Sequence, residues 1–287
     1  MRWQMGRRSD NIEDQRGMPV GRGTVVGGGI GTLVLVLLAL YFGVDPSVIL
    51  QGVDPGGSPG STRSAQQQRA PAGDDQLRDF VSVILADTED TWGELFRRMG
   101  RRYEQPRLVL FSGAIESACG FAQAAVGPFY CPGDRKVYID LSFYRDLRDR
   151  LGAPGDFAQA YVIAHEIGHH VQNLLGIAER VQAAQGRRSR TEANALQVRM
   201  ELQADCLAGV WANNAQRARN ILESGDIEEG LNAAAAIGDD RLQRQSQGRV
   251  VPESFTHGSS EQRVRWFKRG IESGEPGQCD TFAASKP

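Results

Sequence analysis

The stretch YVIAHEIGHHVQNL, residues 161–174, places three of the chain's four histidines in an apolar run. His165 and His169 are four apart. On a helix such residues share a face at a spacing of about 6 Å, so two imidazoles can point at one ion. Glu166 lies about 100° round the same helix, within reach of a water held by that ion. Imidazole nitrogen suits zinc, and three protein ligands plus a water make a catalytic site. His170 projects to another side and reads as a helix-surface or supporting residue, not a ligand. Tyr161, Val162, Ile163 and Ala164 make the preceding turn apolar, as a helix crossing the middle of a domain needs. The competing reading is a pair of core histidines hydrogen-bonded internally.

A third ligand is required, and RMELQADCLAGVW, residues 199–211, offers it. Glu201 and Asp205 are four apart in an otherwise apolar neighbourhood, where carboxylates are rarely buried without a partner. A metal would partner Glu201. Asp205, one turn on, could accept the outer N–H of a ligating histidine and fix its tautomer. A solvated acidic face is the alternative.

Two histidines of an HExxH motif followed by a glutamate on a second helix resemble a gluzincin, and Glu201-Leu-Gln-Ala204-Asp205 is similar to the ExxAD type. HEIGHHVQNLLGI, ELQADCLAGVWA and FTHGSSEQRVRWF, with the opening MRWQ and SDNIEDQRG, resemble the bacterial putative neutral zinc metallopeptidase family over nearly the whole chain. The resemblance implies a zincin-like, minimal gluzincin domain, Zn2+ as cofactor, and a peptide or protein substrate. Thr256-His257-Gly258 and Arg263 resemble the THP-and-arginine element of ExxAD membrane peptidases. That likeness implies that His257 stabilises the oxyanion developing on the scissile carbonyl. Gly258 stands where those peptidases have proline, and a surface histidine after a turn is the competing reading.

The formal net charge of −2 over 287 residues gives no global field for nucleic acid. Arg2, Arg7, Arg8, Arg16 and Arg22 outnumber Asp10, Glu13 and Asp14 before residue 24. Residues 24–44, TVVGGGIGTLVLVLLALYFGV, are 21 residues without a charge, about what a membrane-crossing helix needs. A secretory signal peptide would be shorter and followed by a cleavage site, and a buried soluble helix is the third option. The expected layout is therefore a cytoplasmic tail at 1–23, a transmembrane helix at 24–44, a Gly/Pro/Ser/Gln-rich flexible linker at 45–75 and a metallopeptidase domain at 76–287. The positive-inside rule puts the protein in the cell membrane, single-pass, with its N-terminus cytoplasmic and its catalytic domain extracytoplasmic. Cys119, Cys131, Cys206 and Cys279 are an even number and allow three pairings. Cys119–Cys131 would close a local loop and Cys206–Cys279 would tie the tail to a helix. Four free thiols are the alternative.

Helical spacing predicts helices over 76–99, 156–174, 195–216, 227–243 and 259–272, and RLVLFSG (107–113) and KVYIDLSF (136–143) read as strands. This is an α+β pattern, mostly helical with a small sheet. Arg97, Arg98, Arg101 and Arg102 read as a solvated helix end. The expected chemistry is peptide hydrolysis, with zinc on His165, His169 and Glu201, Glu166 as general base, and Asp205 and Arg263 in support. Substrate would add as a strand along KVYIDL, 136–141. A non-catalytic zinc-stabilised binding or chaperone module, and a hydrolase of a non-peptide amide in the cell envelope, are the other readings. The sequence leaves oligomeric state open.

Overall fold

The computed structural model describes residues 1–18, 72–285 and 287. The apolar run 24–44 and nearly all of the linker at 45–75 lie outside these residues. Among the described residues no helix is long and apolar enough to cross a membrane.

Helix α1, Ala72–Arg98, buries Phe80, Val81, Ile84, Leu85, Trp92, Leu95 and Phe96, which recur at helical spacing. A four-stranded sheet is ordered β1-β2-β6-β5, where β1 is Ile12–Asp14, β2 Arg107–Phe111, β5 Phe129–Cys131 and β6 Lys136–Asp140. β1 runs parallel to β2, β2 parallel to β6, and β5 antiparallel to β6. Leu108–Phe111 and Val137–Asp140 are buried without alternation, as central parallel strands covered on both faces are. β3 (Ala114–Ser117) and β4 (Gly120–Gln123) make a separate hairpin.

Met1–Met18 are not a separate tail; they belong to the same compact unit as residues 70–287. Ile12 pairs with Leu108, Met1 and Trp3 are buried, and the Trp3 ring meets Phe80 edge-on at 5.3 Å. The hydroxyl of Ser9, the amide of Asn11 and the guanidinium of Arg7 donate to the buried Glu89 carboxylate at 2.6, 2.8 and 2.8 Å. The Met1 amino group sits 2.8 Å from Asp156 and 3.3 Å from Asp226. This packing corrects the expected boundary at residue 23.

After α2 (Ser142–Asp149), helices α3 (Asp156–Leu174), α4 (Ile177–Gln185), α5 (Arg190–Arg219), α6 (Asp226–Ala236), α7 (Asp239–Gln247) and α8 (Ser260–Ser273) build the rest. α5 and α8 each open on a capping box, Ser189 with Glu192 and Ser259 with Gln262. The helix expected over 227–243 is two helices broken at Ile237-Gly238. A Cβ on Gly238 would stand 2.4 Å from the Ser260 nitrogen, so α8 enters there. α3 crosses α5 at backbone distance: a Cβ on Gly168 would lie 2.9 Å from the Ala204 carbonyl oxygen. α8 crosses the other side of α5 as closely, with a Cβ on Gly270 falling 2.0 Å from the Cys206 carbonyl oxygen. Disulfides join Cys119 to Cys131 and Cys206 to Cys279, with no free cysteine.

Candidate metal centre

The two close crossings bring three helices to one point. α3 carries His165, Glu166 and His169; α5 carries Glu201 and Asp205; α8 carries Arg263. Because only Gly168 and Ala204 separate α3 from α5, Glu201 reaches both histidines. Its Oε2 lies 3.2 Å from His165 Nε2 and 3.3 Å from His169 Nε2. One ligand atom from each of these residues falls within 4.8 Å of the others. Bonds of about 2.0–2.1 Å to a tetrahedral zinc put ligand atoms about 3.3 Å apart, so these separations fit the edges of such a site. Two imidazole nitrogens and one carboxylate oxygen are also a donor set zinc accepts.

A buried hub lies beneath. Asp205, with no exposed surface, receives His165 Nδ1 at 2.8 Å, the Tyr161 hydroxyl at 2.5 Å and Arg263 at 2.8 and 2.9 Å. Arg263 also donates to the Ile237 carbonyl, the last turn before the α6–α7 break. Burial alone would lower the pKa of His165, but Asp205 and Glu201 outweigh it and raise it to about 10. Burial alone would raise that of Glu201, but His169 and His165 hold it well below the usual carboxylate range.

Glu166 faces a cavity of about 380 Å³ that opens over the three donors. Its walls include Phe129 and Tyr130 of β5, Phe143, Met200, Ile237 and His257. His257 therefore reaches the site. Asp239 holds its loop in place, accepting the main-chain N–H groups of Thr256, His257 and Gly258 at 2.7, 2.6 and 3.0 Å. The imidazole, half exposed, stands 3.4 Å from Asp239 Oδ1. Gly258 has φ +91°, which proline cannot adopt, so the loop takes a route of its own here.

Two expectations change in the structure. Along KVYIDL, Lys136–Tyr138 of β6 is already paired on both sides, by β2 and β5, and so is not open to a substrate strand. The strand at the sheet edge beside the cavity is β5. Of the two places expected for His170, helix surface or support, it takes the second: buried, it joins α3 to the Tyr130 hydroxyl at 3.0 Å and the Glu104 carbonyl at 2.6 Å, and burial lowers its pKa to about 4. Asn173 also donates to Tyr130, so α3 fixes the position of β5.

Three site residues escaped the sequence reading. Tyr161 supports Asp205, Gln197 holds the other oxygen of Glu201 at 2.7 Å, and Gln172 meets His169 Nδ1 at 2.9 Å. Each lies three or four residues from the residue it or its partner supports, a spacing that could have found them.

A second acidic group, Asp156, Asp226 and Glu229, is already engaged by the Met1 amino group and the Phe157 N–H.

A family model described as "Putative neutral zinc metallopeptidase" matches residues 1–282. The uncharacterized protein YpfJ of Escherichia coli (strain K12) is 55% identical, over 99% of this chain and all of its own. The uncharacterized protein Rv2575 of Mycobacterium tuberculosis is 42% identical, over 83% of this chain and 85% of its own. No solved structure matches.

Proposed function

As a member of the putative neutral zinc metallopeptidase family, the chain takes zinc as its metal, and we propose that it hydrolyses peptide bonds at a zincin-like site formed by His165, Glu166, His169 and Glu201. One observation carries this reading. Three donors converge on the floor of an open cavity with a carboxylate, Glu166, on its wall. A structural zinc site is normally closed by a fourth protein ligand and needs no such carboxylate.

Zinc, when bound, would polarise the scissile carbonyl and bring a water to ionise near neutral pH. Glu166 takes the proton from that water as its oxygen adds to the carbonyl carbon. It then delivers the proton to the amine nitrogen as the C–N bond breaks. His257, held by Asp239, donates to the carbonyl oxygen as it gains charge. Asp205, clamped by Arg263 and Tyr161, accepts His165 Nδ1–H and leaves Nε2 for the metal. The edge of β5 would take the peptide as an added strand.

Two disulfides support a location outside the cytoplasm, in an oxidising compartment. The apolar run 24–44 would attach the unit to the membrane, with residues 1–18 and the domain on one side of it.

The test is metal analysis and peptide cleavage on the full chain. Wild type should hold one zinc per chain, and Glu201→Gln should lose most of it. Glu166→Gln should keep the zinc while kcat/KM falls about 10²–10⁴-fold. Full activity in Glu166→Gln would reject the general-base role. Cleavage of cell-wall fragments but of no peptide or protein would assign the site to another amide.

A further inference from the structure

Resting on the reading of His169 as a zinc ligand, we propose that Gln172 and Gln203 are positioning residues that fix how His169 faces the metal. They tie that histidine to the carboxy-terminal segment behind the Cys206–Cys279 bridge.

The bonds form a relay. His169 Nδ1 lies 2.9 Å from Gln172 Oε1. Gln172 Nε2 lies 2.7 Å from the Met200 carbonyl oxygen and 3.1 Å from Gln203 Oε1. Gln203 Nε2 lies 2.9 Å from the carbonyl oxygen of Cys279. Both glutamines are buried, Gln172 completely.

Two main-chain carbonyls set the direction of every bond. A carbonyl oxygen can only accept, so each glutamine must turn its NH2 toward its carbonyl. The Cys279 carbonyl orients Gln203 and leaves Oε1 toward Gln172. The Met200 carbonyl orients Gln172 and leaves Oε1 toward His169. His169 Nδ1 must then carry the hydrogen, and the lone pair on Nε2 faces Glu201 Oε2, 3.3 Å away. The amides thus select the ring tautomer and the ring angle that a metal at Nε2 requires.

The far end of the relay is anchored. Cys279 is covalently joined to Cys206 on α5. Just beyond it, Thr281 donates to the Arg199 carbonyl at 2.7 Å, and the Arg199 guanidinium donates to the carbonyls of Thr281 and Ala284. The tail therefore acts as a brace for one metal ligand. The two histidines are supported by different means: His165 leans on an Asp–Arg pair, His169 on neutral amides that end at a disulfide-bonded residue.

The experiment uses the full chain and measures zinc affinity by chelator competition, together with the visible spectrum of the Co2+-substituted protein. Variants are Gln172→Leu, Gln203→Leu and Val210→Ala. Val210 is wholly buried in α5, so its truncation is a control for lost packing alone. Gln172→Leu should weaken zinc binding about 10–100-fold and change the Co2+ spectrum. Gln203→Leu should shift both in the same direction by less, while Val210→Ala lowers the melting temperature and leaves both unchanged. Wild-type affinity and spectrum in folded Gln172→Leu would overturn the proposal. Should that variant not fold, wild-type values in Gln203→Leu would overturn it equally. A wild-type chain that binds no zinc would instead overturn the ligand set itself, and this inference with it.

Discussion

Asp239 and His257 hold each other's charge. Burial would push Asp239 up, yet His257 and three main-chain N–H groups bring its pKa below 3.8. Loss of water on the covered side of the half-exposed His257 would push it down, yet Asp239 and Glu201 bring it above 6.5. The depressed acid adds stability above pH 3.8 that is lost as pH falls through its folded pKa. The raised base adds stability below pH 6.5 that is lost as pH rises through its folded pKa. The loop is held most firmly between those limits. Asp239→Asn should lower the His257 pKa, read from its imidazole signals in an NMR titration; an unmoved midpoint would remove Asp239 as the cause. At this scale the sequence was most legible where a motif names the chemistry, as at His165, Glu166, His169, Glu201 and Asp205. Tyr161, Gln172 and Gln197 carry no such mark. Their spacing of three or four residues is a weak signal, since polar residues so spaced are also common on solvated faces.

Helix crossings decide whether those residues meet. Gly168 lets α3 approach α5 until a Cβ would stand 2.9 Å from one main-chain atom of Ala204 and 3.0 Å from another. Gly168→Ala should cost roughly 1–3 kcal/mol by overpacking and, by moving Glu201 away from the histidines, weaken zinc binding as well. Urea unfolding and chelator competition measure the two losses, and a fall in stability with unchanged zinc affinity would show that the helices can part without disturbing the ligands. The long helices were legible because their apolar positions repeat every three or four residues; α3 was predicted at 156–174 and observed at Asp156–Leu174. Short elements were not. β1, β5 and the β3–β4 hairpin have three or four residues each, and Ile-Glu-Asp at β1 carries no strand signal, since its pairing comes wholly from β2. The break at Gly238 was hidden because the residue packed against it, Ser260, lies on another helix.

At the scale of the whole chain, the amino-terminal segment is part of the body that carries the metal site. If Met5→Cys, whose parent residue is 98% exposed, and Glu272→Cys, on the exposed face of α8, are introduced separately, both should react with a membrane-impermeant maleimide added from one side. Labelling from opposite sides would show that the packing of residues 1–18 on α1 and β2 does not exist in the membrane-bound protein. That packing also sets an order of assembly. Ile12 must pair with Leu108, a partner made roughly a hundred residues after it, and the Met1 amino group waits longer still for Asp156 and Asp226. Closing so long a loop loses chain entropy before any contact repays it. Residues 1–18 leave the ribosome well before their partners and are among the last to find their places, and until they do β2 presents an open edge to whatever strand is nearby.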